Sequence, residues 1–569
     1  MKCDPIIPYR NSNIIRIIPL AEILVDNLIN NLNVIFLINL FLELLYVYLY
    51  FNLLYLFHGE IMDPIDMMVT DANCEYLGLS RLCLMESAGK SLGEEVAKIA
   101  VFTFSKPVRV LMFTGSGGNG GDAFVAARYL LNRGYDVDIF MLKDNIHSRE
   151  AKINLEILEN MKPRLSRLTI HNLKTLEDIS NCNPGDDESI IVDGLLGTGI
   201  KGKLQEKIRK AIEVINESNG IKISIDVPSG MDPLTGGIDD VAVVPDYTIS
   251  FHKIKTGVRD ADEDLVGGLV TADIGIPLEA EYFVSYGDFL RLKNRPSTSH
   301  KGNNGSILIV GGSKDYHGAP AISGMAAFGT GVDLVYVATP ESAAVPVKSV
   351  SADLIVKSLE GDYLNLSHLD EILELVDKVD AVLIGPGSSI NDETSKLFNV
   401  LVNKIKKPIV LDADALKQVD LSLIKNRDNI VLTPHLAEFN KFFKTDLKLE
   451  LDTYEFEKVN DNITEFQRVA KSIKGTVIVK GKNDLILSGS KFRINRSGNA
   501  GMTVGGTGDA LAGIVTALLS IKLNAFDSAC LGVFINGIAG DEAFKYKGNG
   551  FSATDLVSYV PVVIKNGLC

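Results

Sequence analysis

The sequence has no excess of basic charge. Its 569 residues carry 57 Lys and Arg against 72 Asp and Glu, a formal charge of −15. Phosphate backbones select basic surfaces, so this balance argues against a general nucleic-acid binder. Paired cysteines are lacking too. The six cysteines (Cys3, Cys74, Cys83, Cys182, Cys530, Cys569) are scattered, with no CxxC and no His/Cys cluster at zinc-ligand spacing. That argues against a disulfide scaffold or a structural zinc site and suits a reducing, cytoplasmic setting. Tryptophan is absent, which excludes nothing, and no internal repeat is visible. What is present is 50 glycines and 46% hydrophobic residues, the composition of a folded chain with sizeable cores. The length allows roughly three or four domains.

The first sixty residues do not match the rest. Residues 34–57 are an apolar run interrupted only by Asn39, Glu43 and Asn52. A span of roughly 20 apolar residues crosses a bilayer, so one reading is a membrane anchor. A secretory signal fits less well, because the run is too long and no small-residue cleavage site follows. The other reading is an over-extended start, with Met62 as the true first residue. The sequence favours the second, since composition shifts at Met62 and Glu43 is costly inside a membrane. A membrane partner is expected only if the run is a real anchor.

After Met62 the chain alternates strands and helices. VRVLMF (108–113), DVDIFML (136–142), SIIVDGLLG (189–197) and IKISIDVPSG (221–230) read as apolar strands ending in turns. AFVAARYLLNRG (123–134) and KLQEKIRKAIEVINES have helical spacing. Alternation with short connections implies a parallel sheet covered by helices, with ligands at the carboxyl ends of the strands. LRLKNRPSTSHKGNNG (290–305) reads as a connector. Alternation restarts with SILIVGGS (306–313), DLVYVATP (333–340), AVLIGPGSS (381–389), PIVLDADAL (408–416), NIVLTPH (429–435) and GTVIVKG (475–481). We therefore expect an extension over 1–61 and two α/β domains, 62–283 and 284–569.

The strongest local signal is SGNAGMTVGGTGDALAGIVTALL (497–519). Gly501, Gly505, Gly506 and Gly508 precede Asp509 and a helix of small residues. Glycine permits a tight turn and close approach of a ligand. The first amides of a helix lack internal acceptors and make an anion site. A carboxylate at that mouth takes a proton from a hydroxyl as a phosphoryl group arrives. The alternative is that Asp509 merely caps the helix.

This segment resembles the anion-hole motif of ribokinase-like kinases. Together with SHKGNNGSILIVGGSKDYHGAP (299–320), GPG (385–387), TPHLAEF (433–439) and KGKND (480–484), it resembles the NAD(P)H-hydrate dehydratase family. The first domain is similar to the NAD(P)H-hydrate epimerase family in LMESAG (84–89), GSGGNGGDA (115–123), DGLLGTG (193–199), DVPSG (226–230) and ADIGIP (272–277). The resemblance implies a Rossmann-like and then a ribokinase-like α/β/α sandwich in one repair enzyme. Water added across a ring double bond of NADH or NADPH gives a dead hydrate in two epimers. The first domain would interconvert the epimers. The second would phosphorylate the hydrate's hydroxyl with ADP or ATP, and phosphate loss would restore the double bond.

The resemblance also implies roles for residues. Asp509 would be the base. Asn499, Ala500, Gly501, Met502, Thr503, Val504, Gly505, Gly506, Thr507 and Gly508 would hold the nucleotide phosphates, and Lys480, Gly481, Lys482, Asn483 and Asp484 would line the nucleotide site. Ala319, Gly387, His435, Leu436, Ala437 and Glu438 would contact the hydrate, although a His after Thr-Pro otherwise reads as a cap. Mg²⁺ is expected with the nucleotide, though no acidic pair stands out as its ligands. In the first domain Gly118, Asn119, Gly120, Gly121 and Asp122, with Gly197, Thr198, Gly199, Ile200, Lys201, Gly202 and Lys203, would bind the hydrate. Asn119, Asp193 and Ser229 would coordinate K⁺, and Asp226 would contact substrate as an acid/base. The sequence departs from the family's usual residues at Gly118, Ala123, Leu436, Ala437 and Asp484. A homo-oligomer is expected.

Two other readings share some of these residues. One is a vitamin- or sugar-type kinase with a non-catalytic first domain. The other makes the first domain a protein-interaction unit. TPHLAEF and SHKG favour repair over the kinase, and intact Asn119, Asp193, Asp226 and Ser229 favour retained chemistry over mere interaction. MESAG (85–89) reads as the start of a small-residue helix that packs closely and carries no chemistry, and RDADED (259–264) as a solvated loop.

Overall fold

A computed structural model describes residues 61–106, 108–142, 145–182, 186–197, 203–451 and 456–568. The apolar run at 34–57 and the expected site residues Thr198 to Gly202 lie outside the described residues. Among the described residues no helix is long and apolar enough to cross a membrane.

Apolar side chains alternate between two cores along each central strand. On Arg109–Thr114, Val110 and Met112 join a core with Leu92, Phe124 and Leu130, while Leu111 and Phe113 join one with Ile208, Ile212 and Ile215. A strand buried on both faces must be covered by helices on both, which makes an α/β/α sandwich. Among the described residues the first sheet has seven parallel strands, in spatial order Leu168–Asn172, Asp136–Met141, Arg109–Thr114, Ser189–Gly194, Ile221–Ile225, Tyr247–Phe251 and Gly268–Ala272. The order reverses between Arg109–Thr114 and Ser189–Gly194, which opens a crevice beyond their carboxyl ends.

The second sheet follows the same rule. Ile307 and Ile309 face a core with Ala510 and Ile514, and Leu308 and Val310 face Leu397 and Phe398. Among the described residues its seven parallel strands run Ile355–Leu359, Leu334–Pro340, Ser306–Val310, Ala381–Ile384, Ile409–Leu411, Ile430–Leu432 and Thr476–Val479. An antiparallel pair, Asp484–Ser488 and Lys491–Asn495, extends the edge.

Three local expectations need correction. The helix expected from Ala123 begins at Gly118, so the Gly-rich turn supplies its first turn. Close packing overrides the helix-breaking tendency of glycine there: a Cβ on Gly121 would lie 2.5 Å from Met85 Cε and 2.9 Å from Ala151 Cβ. MESAG, read as the start of a helix, lies inside Arg81–Thr103; its packing role holds, since a Cβ on Gly89 would lie 2.3 Å from Val125 Cβ. RDADED is exposed as expected, but it folds into parts of two one-turn helices, Thr256–Asp260 and Glu263–Val266.

The connector is anchored at its start. Arg291, buried at the end of the 3-10 turn Tyr286–Arg291, lies 2.6 Å from Asp66, 3.3 Å from Asp527 and 3.7 Å from Asp288. Asp66 belongs to the helix Pro64–Tyr76 and Asp527 to the helix Ala525–Lys547, so one guanidinium joins the two units. Arg493 meets Asp288 from the other side at 2.9 Å. Removing one partner of a buried ion cluster strands the remaining charges. Arg291→Met is therefore expected to destabilise the chain by about 3 kcal/mol, read as a lower denaturation midpoint, whereas the exposed pair partner Lys396→Met leaves the midpoint within about 0.5 kcal/mol of wild type.

Candidate active sites

In the first unit a cavity of about 1050 Å³ lies at the reversal of strand order, between the turn at Gly115–Gly120 and the turn at Leu195–Gly197. Gly118, Asn119, Gly120, Asp122, Gly197, Lys203 and Asp226 all line it. Gly121 faces Met85 instead and serves packing. Beneath the cavity Asp193 is fully engaged. Its Oδ1 accepts from Ser229 Oγ (2.6 Å) and Leu195 N (3.2 Å), and its Oδ2 from Ser224 Oγ and Ser229 N (2.9 Å each). Burial raises its pKa, and those hydrogen bonds oppose the rise. Asn119 Nδ2 donates to Leu196 O (3.0 Å) and Ile225 O (2.7 Å), while its Oδ1 faces Gly197, where a Cβ would lie 2.6 Å away. Asn119, Asp193 and Ser229 thus meet around one turn. Their side-chain oxygens form a hard donor set, and among the described residues no lysine or arginine bonds to Asp193.

Asp226 sits in the left-handed region at φ 65°, a conformation Asp tolerates better than most residues. That turn aims its carboxylate at the buried Lys255. Lys255 Nζ donates to Asp226 Oδ1, to Phe251 O (3.0 Å) and to Lys253 O (3.2 Å), and Phe251 N also donates to Asp226 Oδ1 (3.1 Å). Three further carboxyls line the same cavity, Asp122, Asp71 and Glu150, the last accepting from Ser148 Oγ (2.9 Å). Burial, then the nearby Asp226 and Asp71, push Asp122 well above the usual carboxylate range. Burial pushes Asp71 up to about 6, with Lys255 opposing. Lys255 and Asp71 were missed at the sequence level. Neither lies in a Gly-rich motif, and their meeting is purely tertiary.

In the second unit the helix Thr507–Ser520 starts after Gly506, whose φ of 100° requires glycine. Thr507 Oγ1 donates to Met502 O (2.8 Å) and Val504 O (3.2 Å), tying the preceding loop to the helix start. The amides of Thr507, Gly508 and Asp509 precede the first intrahelical bond, Ala510 N to Gly506 O (3.0 Å). A Cβ on Gly508 would meet only Lys480 Nζ, at 3.5 Å, so this ammonium stands beside the helix mouth. Asp509 lies in the first turn, and its side chain makes no capping bond, unlike the capping alternative. Burial, then Asp412, push its pKa up to about 7, with Lys480 opposing.

Lys480 Nζ donates to Asp412 Oδ1 (3.1 Å), which also accepts from Thr433 Oγ1 (2.6 Å). Burial works against the ammonium, yet Asp412 and Glu438 hold its pKa above the ordinary lysine value. Asp414 joins the cluster through Lys417 (3.3 Å), which also reaches Glu438 (3.4 Å). Asp412, Asp414 and Lys417 were missed, although DADALK follows an apolar strand, where ligand groups gather. Among the described residues no group of three His, Cys, Asp or Glu side chains is placed to hold a metal.

The remaining expected residues fall into distinct places. Gly387 and Ala319 come together, since a Cβ on Gly387 would lie 3.2 Å from Ala319 Cβ. His435 caps the helix Leu436–Phe443: its Nδ1 accepts from Glu438 N (3.3 Å), and Glu438 Oε2 accepts from His435 N (3.1 Å). Leu436 and Ala437 form the first turn of that helix. Asp484 is turned inward, accepting from Gly481 N (3.1 Å) and Asn495 Nδ2 (3.0 Å), and so shapes the loop holding Lys482 and Asn483. Asn499 caps the short turn Ala500–Thr503 and donates to Asp541 Oδ1 (2.8 Å), a partner the sequence did not reveal. Gly501 packs under Phe551, and Gly505 is open.

Comparison with known proteins agrees with this two-site architecture. Residues 307–562 match the family described as NAD(P)H-hydrate dehydratase, and residues 81–257 match the YjeF-related protein N-terminus. A relative from Methanothermobacter thermautotrophicus, the bifunctional NAD(P)H-hydrate repair enzyme Nnr, is 45% identical over 512 residues, covering 89% of this chain and 96% of the relative. Relatives of the same name from Archaeoglobus fulgidus and Methanocaldococcus jannaschii are 39% and 38% identical, over 89% of this chain and 98% and 94% of their own lengths. By these matches the chain belongs to the family of bifunctional NAD(P)H-hydrate repair enzymes, with an epimerase-type unit followed by a dehydratase-type unit.

Proposed function

We propose that the two sites perform successive halves of one repair: the first unit (62–283) interconverts the R and S hydrates of NADH or NADPH, and the second (284–569) dehydrates the S hydrate at the expense of ADP or ATP. The observation that carries this reading is Asp509. It is a carboxyl pushed up to about 7 beside unpaired amides and the Lys480 ammonium. Such a group accepts a proton near neutral pH while the amides take up phosphate charge. A sugar or vitamin kinase needs the same cradle; the first unit's retained acid cluster and the shared family favour repair.

In the dehydration, the hydrate's hydroxyl oxygen bonds to the terminal phosphorus of the nucleotide and gives its proton to Asp509. The phosphorus–oxygen bond to the rest of the nucleotide breaks. Phosphate then leaves with the carbon–oxygen electron pair, the neighbouring carbon loses a proton, and the ring double bond returns. Asn499 to Gly508 hold phosphate oxygens and Lys480 neutralises charge. Ala319, Gly387 and the His435–Glu438 turn shape the hydrate pocket. Mg²⁺ would be held chiefly by the nucleotide phosphates, whose charge it would neutralise. In the first unit Asn119, Asp193 and Ser229 would hold K⁺, which would supply a fixed positive charge to the site. A cytoplasmic setting suits the free thiols Cys74, Cys83, Cys182 and Cys530.

Asp509→Asn is expected to lower dehydration by roughly 10²- to 10⁴-fold while nucleotide still binds, measured as recovery of dihydropyridine absorbance. The base form of a group titrating at about 7 is lost as pH falls. Wild-type dehydration of the bound hydrate should therefore decline about tenfold per unit well below pH 7; a rate flat down to pH 5 would contradict the assignment. Asp226→Ala is expected to leave use of the S hydrate intact and to slow use of the R hydrate by roughly 10²-fold or more. Equal loss with both epimers would show that the two sites are not independent.

A further inference from the structure

We propose that epimerisation in the first unit uses two carboxyl groups on one cavity: Asp122 gives a proton to the departing hydroxyl, Asp226 takes one from the incoming water, and Lys255 positions Asp226. The proposal rests on the epimerase reading above and adds the acid that reading lacks.

Four carboxyls, Asp71, Asp122, Glu150 and Asp226, line the cavity; Lys255 is the buried ammonium among them, and Arg81, Arg149 and Lys203 line its exposed part. Lys255 commits that ammonium to Asp226, and its other two bonds go to backbone carbonyls. Among the described residues no hydrogen bond or ion pair reaches the side chain of Asp122 or Asp71. Asp122 is buried just beyond the first turn of the helix Gly118–Asn132, the turn that carries Asn119 and Gly120 to the cavity wall. Like charges gathered around one buried ammonium oppose one another's ionisation. Burial and the two neighbouring carboxyls hold Asp122 protonated well above the usual range, so it enters the reaction as the acid. The groups facing it are Asp226, Asp71 and Lys255. Asp226 bonds to the Lys255 ammonium and Asp122 does not, and two carboxyls in such different surroundings on one cavity divide the acid and base roles.

The substrate's chemistry asks for such a pair. Water adds to an enamine at the carbon beside the ring nitrogen, so the hydroxyl leaves most readily with help from that nitrogen. Asp122 gives its proton to the hydroxyl oxygen. The carbon–oxygen bond breaks and its electron pair leaves with the water, while the nitrogen lone pair forms a carbon–nitrogen double bond. On the opposite face a water gives a proton to Asp226 as its oxygen bonds to the same carbon, and the double-bond pair returns to nitrogen. One water leaves, one enters, and one proton has passed from Asp122 to Asp226. The opposite epimer starts from that second state, and no oxidant is required. Asp71, coupled electrostatically to both carboxyls, completes the buried proton pool.

The test uses the full chain, without nucleotide, on the R hydrate in ¹⁸O-water, with the product epimer read by mass spectrometry. Each enzymatic epimerisation is expected to introduce one solvent oxygen. Retention of the original oxygen overturns the proposal. Asp122→Asn is expected to lower kcat for epimerisation by roughly 10²- to 10⁴-fold with KM little changed, and Asp122→Glu to restore part of the rate. A raised KM with unchanged kcat makes Asp122 a binding residue only and overturns its role as acid. A variant that does not fold leaves the oxygen measurement on wild type decisive. If wild type does not change the epimer ratio at all, the epimerase reading itself fails and this proposal with it.

Discussion

In both units one ammonium, buried in the first and partly buried in the second, faces more carboxylate than it can neutralise. Lys255 serves Asp226 while Asp122 and Asp71 stand nearby, and Lys480 serves Asp412 while Asp509 stands nearby. Charges taken out of water are tolerated only when paired, so the surplus carboxyls hold their protons into the neutral range. That surplus is what makes these sites chemically useful. A solvated carboxylate is too weak a base and too rarely protonated to be an acid at neutral pH. The sandwich architecture produces the surplus by bringing the carboxyl ends of several parallel strands, and the turns that follow them, to one edge of a sheet.

Much of this was legible in the sequence because the parallel strands are buried on both faces. Ser306–Val310 and Ser189–Gly194 read as apolar runs for that reason. Edge strands were not legible. Ile355–Leu359 and Leu168–Asn172 are short and half exposed, so neither the apolar run nor a clean alternation marks them. The pair Asp484–Ser488 and Lys491–Asn495 was hidden because its polar turns read as ligand loop. The helix start at Gly118 was missed because glycine argues against helix locally, while the approach of Met85 and Ala151 demands it.

The candidate sites were partly legible for a related reason. Glycine turns and the carboxylates inside them are local signals, and Asp509, Asp226, Asn119 and Asp193 are marked by them. Lys255 and Asp71 come from a two-residue strand and an N-terminal helix far from the Gly-rich turn, and Asp412 from a strand end with no glycine beside it. Their roles exist only in the folded charge balance. His435 shows the converse: a residue singled out by motif also caps a helix, so its conformation is fixed by the backbone it serves.

The junction between units is built from the same material. Arg291 and Arg493 surround Asp288, and Arg291 also reaches Asp66 and Asp527, so here every carboxylate has a guanidinium within ion-pair distance, whereas among the described residues Asp71, Asp122 and Asp509 have no such partner. The junction is held and the sites are left charge-frustrated, and the second half of that statement is the central claim. Difference infrared titration of the carboxyl stretch, comparing wild type with Asp509→Asn, measures it directly. The account predicts a carboxylic-acid band that ionises near pH 7 in wild type and is missing from the variant; identical spectra, with every carboxyl already ionised by about pH 5, would contradict it.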